Sequence, residues 1–251
     1  MRRDQLELDG DGLDRPGTLI RYGHWGRPLL VFPSEAGRAW DYENNGMIAA
    51  ISEFIDAGRV KVYCVDSFDH LSWSNRSISL EDRARNHQRY ERWLIERVVP
   101  TMLTDSPGLD MGPGMLTTGC SLGAYHALNI SLKRADLFPV SICLSGSYDP
   151  AQWHAWGERG EQAYFTNPMD SIANLHGDHL DWLRSRMYPV LVVGQGAWET
   201  NPTGALPSTT ALANLLTEKG IPHEFELWGH DVSHDWWWWQ RQIAHYLPRF
   251  C

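Results

Sequence analysis

One five-residue stretch near the middle of the chain restricts what the surrounding sequence can form. Gly119-Cys120-Ser121-Leu122-Gly123 follows the apolar run 115–118 and leads into a helix-like stretch. The two glycines permit a sharp bend, because a Cβ at either flank would clash, and the bend pushes the serine hydroxyl outwards. Chance alone produces the bare pattern in roughly one such chain in eight, so the residues on either side must show whether the motif is meaningful. That context predicts a strand, a tight turn and a helix around Ser121.

The segments around this turn alternate between apolar runs and helix-like stretches. The runs expected to be strands are 18–22, 28–32, 59–66, 115–118, 140–144, 189–193 and 223–228. The first two flank a short turn and are expected to pair antiparallel, whereas helices separate the others. This order predicts an α/β fold with a mostly parallel sheet covered by helices on both faces. Ligands of such sheets bind at the carboxyl ends of the strands.

Helix ends and the lack of linkers define the organisation of the chain. Ser79 and Asp82 form a capping box, and a later helix is expected to run from a Ser208 cap to Gly220. The stretch from about 147 to 188 has no clear strand, and we expect an insertion there that partly covers the site. No repeat or linker divides the chain, and 43% of its residues are apolar. Residues 1–251 are therefore expected to form one domain.

Charge and hydropathy exclude several classes of partner. The net charge is −9, with 31 acidic and 22 basic residues and no dense Lys/Arg run, so nucleic acid is not an expected partner. No uncharged apolar run reaches about 18 residues and none follows the basic start, so neither a membrane nor export is expected. The four cysteines are far apart and mostly lie in or against apolar runs. They suit buried thiols in a reducing cytoplasm better than disulfides or a metal site, and no cofactor is expected.

Residues that can activate a serine follow the last two predicted strands. A serine hydroxyl is a poor nucleophile at neutral pH, so it needs an imidazole as base and a carboxylate that orients the imidazole. Glu199 supplies the carboxylate after the penultimate strand, and His230 and His234 both follow the last one. We favour His234, because a base needs a few residues of loop to turn back over Ser121. The i, i+4 spacing of the two histidines suits zinc only on a helix, and no third ligand stands out.

Backbone amides near Ser121 are candidates for stabilising a negatively charged oxygen. Attack on a carbonyl carbon creates such an oxyanion, which two N–H groups typically bind. One donor is expected to be Leu122, directly after the serine. For the second, in the loop after the run 28–32, we choose Ala36, with Glu35 and Ser34 as neighbours that could replace it. An ordinary turn between a strand and a helix would explain this loop equally well.

Thirteen tryptophans supply many bulky aromatic side chains. The consecutive tryptophans 236–239 point in all directions on a helix, so we expect them to pack rather than to stack on a ligand. The residues expected to bind substrate are Trp73 and Trp198, in predicted loops, and Tyr125, on the helix after the serine. Trp153 and Trp156 of the insertion are further pocket candidates.

Polar residues also follow the run 59–66. Asp66, Asp69 and His70 lie at its carboxyl end, where we expect them to brace a loop rather than line the site. Cys120 adjoins the serine, but its place inside the turn directs its side chain away. No catalytic role is expected for this thiol.

Three segments together resemble a known family. The strand, turn and helix around Ser121, the segment 63–73 and the segment 228–236 are similar to the Putative esterase family of α/β-hydrolases, which includes S-formylglutathione hydrolases, feruloyl esterases and bacterial mycolyltransferases. The resemblance extends from about residue 18 to 247. It implies Ser121 as nucleophile and His234 as base, with Glu199 where many members have aspartate. Leu122 and Ala124 replace the usual Met and Gly, and neither change removes a backbone N–H.

These observations predict an enzyme that acts on a small-molecule ester or thioester. Ser121 would attack the carbonyl carbon, His234 would transfer the proton, and water would release the acyl group. An acyltransferase would use the same residues with an alcohol in place of water. A non-catalytic binding protein of the same fold is the remaining alternative.

Overall fold

The computed structural model describes all 251 residues. Its strands are β1 (Arg3–Leu8), β2 (Gly17–Tyr22), β3 (Arg27–Phe32), β4 (Val60–Val65), β5 (Leu116–Cys120), β6 (Val140–Leu144), β7 (Tyr188–Val193) and β8 (Glu224–Leu227). Its α-helices are α1 (Asp41–Asn44), α2 (Met47–Ala50), α3 (Ser52–Asp56), α4 (Leu80–Trp93), α5 (Val99–Thr104), α6 (Leu122–Lys133), α7 (Glu161–Thr166), α8 (Pro168–Ala173), α9 (Gly177–Arg186), α10 (Ala205–Glu218) and α11 (Trp236–Tyr246). A π-helical turn (Leu94–Val98) joins α4 to α5.

All eight strands form one sheet in the order β1-β2-β4-β3-β5-β6-β7-β8. From β4 to β8 every neighbouring pair is parallel, whereas β1 and β2 are antiparallel additions at one edge. The prediction of a mostly parallel sheet is confirmed. Because parallel strands end at the same edge, the loops after β3, β5, β7 and β8 meet there.

The expected pairing of the first two predicted strands is wrong. β4 lies between β2 and β3, and pairs antiparallel with β2 and parallel with β3. All six residues of β4 are buried, which suits an interior position. Strand β1 was not predicted; its residues alternate between exposed and half-buried at the sheet edge.

Helices cover both faces of the sheet. Helices α4 to α10 pack against one apolar core, which includes Trp93, Leu128 and Leu212. Helices α1 to α3 and α11 pack against the other, which includes Ile48 and Ile243. None of the helices combines the length and the apolarity needed to cross a bilayer.

One predicted helix start is correct and the other is wrong. Ser79 caps α4, since its hydroxyl accepts the Asp82 N–H at 3.2 Å. Ser208 instead lies inside α10, which begins at Ala205, and its hydroxyl accepts the Tyr148 N–H at 2.8 Å. The Ser208 hydroxyl therefore binds the start of the segment 147–188 rather than capping α10.

The segment 147–188 is attached to the first turn of α4. The Glu81 carboxylate accepts the N–H groups of Gly160, Gln162 and Ala163, each at 3.0 Å, at the start of α7. Buried Arg83 donates to the carbonyl oxygens of Trp153 and other nearby residues. These bonds hold one side of the segment against the body of the protein.

Candidate active site

Ser121 lies at a strained turn between β5 and α6. Its φ of 56° and ψ of −122° belong to a backbone region that residues other than glycine rarely adopt. Such strain is typical of functional turns. A Cβ on Gly119 would lie 2.2 Å from the carbonyl carbon of Gly123, and a Cβ on Gly123 would lie 2.3 Å from the Pro33 carbonyl oxygen. Both positions therefore require glycine for the close backbone packing that forms the turn.

His234 and Glu199 lie within hydrogen-bond distance of this serine in a continuous chain. The Oγ of Ser121 is 3.0 Å from His234 Nε2, and His234 Nδ1 is 3.1 Å from a Glu199 carboxylate oxygen. The other candidate base, His230, is exposed and makes no hydrogen bond with Ser121. The loops after β7 and β8 are joined by backbone bonds, including His234 N–H to the Ala197 carbonyl at 3.0 Å. This pairing brings the carboxylate and the imidazole together.

The Glu199 carboxylate is fully buried and hydrogen-bonded at both oxygens. Its Oε1 accepts from the Ser145 hydroxyl at 2.7 Å and from the Gly194 N–H at 3.3 Å. Ser145 in turn accepts from Trp239 Nε1 at 3.1 Å, and the Trp239 ring packs edge-on against His234 with centroids 4.9 Å apart. Ser145 was not among the predicted site residues, although its place directly after β6, at the edge where ligands bind, was a usable signal. Trp239 was expected to pack, and its burial agrees.

The structure corrects the choice of Ala36 as an oxyanion donor. Its N–H donates to Asp69 Oδ2 at 2.9 Å, so it is not available to a substrate. The Ser34 N–H donates to Asp41, and the Gly37 N–H to the Ser34 carbonyl. Within 34–37 only the Glu35 N–H has no partner, and Glu35 lines the same cavity as Ser121 and Leu122. Glu35, one of the alternatives, is therefore the better candidate beside Leu122.

An open cavity of about 570 Å³ lies above Ser121. Trp73, Trp153, Met169, Pro207 and Ala211 supply apolar parts of its lining. Polar and charged side chains, among them Arg76, Asp149 and Gln152, supply others. The cavity thus offers both apolar and polar contacts to a small molecule that approaches Ser121.

Two expected substrate contacts lie outside this cavity. Tyr125 is fully buried behind it, where its ring packs edge-on against Trp73 and Trp153 with centroids 5.6 and 5.0 Å apart. Trp198 is 56% exposed and points to solvent, because the loop after β7 turns the adjacent Glu199 inward. Of the tryptophans of the segment 147–188, Trp153 lines the cavity and Trp156 does not. A loop or helix position alone could not distinguish these orientations.

The polar residues after β4 brace loops, as expected. Buried Asp66 accepts from Arg15, Arg38 and two backbone N–H groups. Burial raises the pKa of this carboxyl, but its hydrogen bonds lower it more, so the net shift is downward. Burial raises the pKa of the Cys120 thiol, which contacts Tyr42 on the side of the sheet away from the cavity. No three His, Cys, Asp or Glu side chains lie together as metal ligands would.

Comparisons with known proteins give a consistent result. The family model described as Putative esterase matches residues 42–250. No curated protein sequence matches the chain. A ferulic acid esterase structure superposes with a TM-score of 0.77 at 13% identity, over 99% of this chain and 96% of its own.

Two further solved structures have similar scores. MPT51 from Mycobacterium tuberculosis superposes with a TM-score of 0.73 at 14% identity, over 100% of this chain and 98% of its own. An S-formylglutathione hydrolase from Agrobacterium tumefaciens gives 0.72 at 12% identity, over 99% and 94%. At these identities the likeness establishes the fold, which is the expected α/β-hydrolase fold.

Proposed function

Because the chain belongs to the Putative esterase family, we propose that it hydrolyses carboxylic esters or thioesters with Ser121 as nucleophile, His234 as base and Glu199 as the residue that orients His234. The observation that carries this proposal is the hydrogen-bonded chain from Ser121 through His234 to Glu199, beside an open cavity. A binding protein of the same fold would have no need of this alignment.

The first half-reaction transfers the acyl group to the protein. His234 Nε2 accepts the Ser121 hydroxyl proton as Ser121 Oγ bonds to the substrate carbonyl carbon. The N–H groups of Leu122 and Glu35 donate to the resulting oxyanion. When the carbonyl reforms, the bond to the leaving oxygen or sulfur breaks, and His234 gives the proton to the leaving alcohol or thiol.

The second half-reaction releases the acid. His234 takes a proton from water as the water oxygen attacks the acyl carbon, and the second oxyanion uses the same two N–H groups. Collapse returns the proton to Ser121 Oγ and frees the carboxylic acid. Buried Glu199 holds the imidazole in the orientation that both proton transfers require. Side chains and backbone amides of the chain supply the base, the nucleophile and the oxyanion donors in both half-reactions, and water is the second substrate.

The proposal extends to the organisation of the chain. Residues 1–251 act as one domain, and the segment 147–188 is an insertion that forms one wall of the cavity. Ser147, Trp153 and Met169, which line the cavity, support this division. The substrate is a small-molecule ester, and a cytoplasmic location stays a prediction from the sequence.

The test is hydrolysis of p-nitrophenyl acetate and butyrate by the wild-type protein and four variants. Ser121→Ala and His234→Ala are expected to lower kcat/KM about a thousandfold or more. Glu199→Gln is expected to lower it about tenfold to a thousandfold, since it orients rather than reacts. His230→Ala is the matched control and should retain wild-type activity.

Two outcomes would redirect the proposal. If folded wild type and Ser121→Ala are equally inert across acyl lengths, the hydrolase proposal fails and a binding function takes its place. A second outcome is that an added alcohol, rather than water, accepts the acyl group, while the overall rate of ester consumption still depends on Ser121. Acyl transfer is then the better description of the activity. Mass spectrometry of the products distinguishes the acid from a new ester.

A further inference from the structure

The segment after β4 holds the loop that follows β3. Ser67 donates to the Gly37 carbonyl through both its N–H, at 3.3 Å, and its hydroxyl, at 3.1 Å. The Ser74 hydroxyl donates to the Glu35 carboxylate at 2.9 Å. The geometry of the loop thus depends on contacts with residues thirty or more positions away.

Asp69 is the central residue of this contact. Its side chain is fully buried, its Oδ2 accepts the Ala36 N–H at 2.9 Å, and its Oδ1 is 2.9 Å from His126 Nε2. His126 is also buried and lies on α6, the helix whose first residue is Leu122. One carboxylate therefore links the loop that contains Glu35 to the helix that begins with the other candidate donor.

The peptide that carries the Glu35 N–H is fixed on both sides. The preceding Ser34 donates its N–H to Asp41 at 3.0 Å, and the following Ala36 donates to Asp69. Ala36 has a φ of 55°, a left-handed conformation that is unfavourable for alanine without external support. Without the Asp69 bond, Ala36 loses the contact that holds it in this conformation, and we expect the direction of the Glu35 N–H to change when Ala36 relaxes.

We propose that Asp69, anchored by His126, is a positioning residue that holds the Glu35 N–H in place beside the Leu122 N–H to form the oxyanion hole. This inference rests on the proposed function. Asp69 does not touch the substrate. Its role is to keep two donors from different elements at a fixed separation.

The test compares Asp69→Ala, Asp69→Asn and Asp14→Ala. Asp69→Ala removes the acceptor for the Ala36 N–H and is expected to lower kcat about 10- to 100-fold with little change in KM, less than the full loss of a donor. Asp69→Asn keeps a carbonyl oxygen for that N–H and should restore most of kcat. Asp14 forms a comparable pair with His70 at 2.8 Å on the surface, so Asp14→Ala is the matched control.

A second readout reports on the hole itself. The experiment compares kcat/KM for an oxoester with kcat/KM for the thionoester that has the same acyl and alcohol parts. Sulfur is larger and accepts hydrogen bonds weakly, so a rigid hole favours the oxoester. Asp69→Ala should lower this oxygen-to-sulfur preference about tenfold or more, whereas Asp14→Ala should leave it unchanged.

The outcomes separate this inference from the proposed function. A fall in kcat with an unchanged oxygen-to-sulfur preference would overturn the positioning role, and so would unchanged kinetics in Asp69→Ala. If Asp69→Ala does not fold, His126→Gln replaces it: that variant leaves the carboxylate in place but weakens its anchor, and must lower the same preference. Absence of Ser121-dependent hydrolysis in wild type would overturn the proposed function and the positioning role with it.

Discussion

Ser145 links Glu199 and Trp239, two residues that are distant in sequence and that both contact His234. Its hydroxyl donates to Glu199 and accepts from Trp239, and the Trp239 ring packs against His234. A buried carboxylate is stable only when its oxygens are hydrogen-bonded. The orientation of His234 therefore depends on a serine that does not contact it.

Ser145→Ala is expected to lower kcat about three- to tenfold with little change in KM, because Glu199 Oε1 would keep only the longer bond from the Gly194 N–H. Steady-state kinetics with a short ester measure this effect. Ser141→Ala, which removes a buried hydroxyl without a hydrogen-bond partner from the same strand region, is the control. A Ser145→Ala variant as active as wild type would show that Glu199 is held adequately without this bond.

At the scale of elements, the first turn of α4 holds the segment 147–188, part of which lines one side of the cavity. Glu81 caps α7 through three N–H bonds, and Arg83 binds the Trp153 carbonyl. A charged acceptor at a helix N-terminus satisfies free N–H groups and interacts favourably with the helix dipole. Few other polar contacts hold α7, so Glu81 has a large share in its attachment.

Glu81→Ala is expected to loosen α7, to raise KM more than it lowers kcat, and to reduce the free energy of unfolding by about 1–2 kcal/mol. Limited proteolysis should then cut between residues 154 and 166 faster than in wild type. Glu218→Ala, at the exposed end of α10, should behave as wild type. If cleavage stays slow and KM is unchanged, packing alone suffices to hold the wall.

A second contact between elements, behind the cavity, makes stability depend on pH. His87 and Glu91 of α4 meet Asn129 and Lys133 of α6 in a buried group. Burial lowers the pKa of His87 from 6.5 to about 4, against the opposing effect of Glu91. Burial alone would raise the pKa of Glu91, but Lys133 and His87 lower it to about 2.

These shifts predict that the protein loses stability in acid in two stages. Between pH 6.5 and about 4 the unfolded chain protonates His87 and the folded protein does not, so the free energy of unfolding falls by about 3 kcal/mol as the pH falls. Glu91 adds a further loss below its ordinary pKa of 4.5. Urea unfolding at pH 7.5 and 4.5 measures the free energy of unfolding at each pH. The difference between the two values should be smaller in His87→Gln than in wild type, whereas in His230→Gln it should equal that of wild type. Equal differences in all three proteins would contradict the prediction.

At the scale of the whole molecule, one sheet is shared by both apolar cores. Residues of β3 illustrate this, since Leu30 and Phe32 belong to one core while Leu29 and Val31 belong to the other. Loss of one core would expose half of every central strand to water. Neither layer of helices is expected to unfold independently of the other.

We therefore predict that urea unfolds the protein in one cooperative transition. Tryptophan fluorescence and far-ultraviolet circular dichroism should give the same midpoint, because tryptophans occur on both faces while helices and strands span the whole chain. Separate midpoints would indicate that a layer, or the segment 147–188, unfolds on its own.

Local patterns predicted the strands of the parallel sheet and the turn at Ser121, because each depends on residues close in sequence, whereas the choice of His234 as base stays a prediction. What the sequence could not supply depends on distant contacts. β4 lies between β2 and β3 because it pairs with both, and the Ala36 N–H is unavailable because it donates to Asp69. Helix α6 is buried on nearly every side, so its pattern could not reveal that Tyr125 lies behind the cavity.

The attachment of α7 to α4 also bears on how this molecule can diversify. The segment 147–188 is held by Glu81 and Arg83 of α4, whereas Ser121, Glu199 and His234 lie in the turn after β5 and in the loops after β7 and β8. We therefore expect substitutions at His154 and Met169, which line the cavity, to change the molecules that fit there while Ser121, Glu199 and His234 keep their positions. For protein engineering and for evolution alike, we expect these two positions to yield new specificities at the least cost to the proposed catalysis.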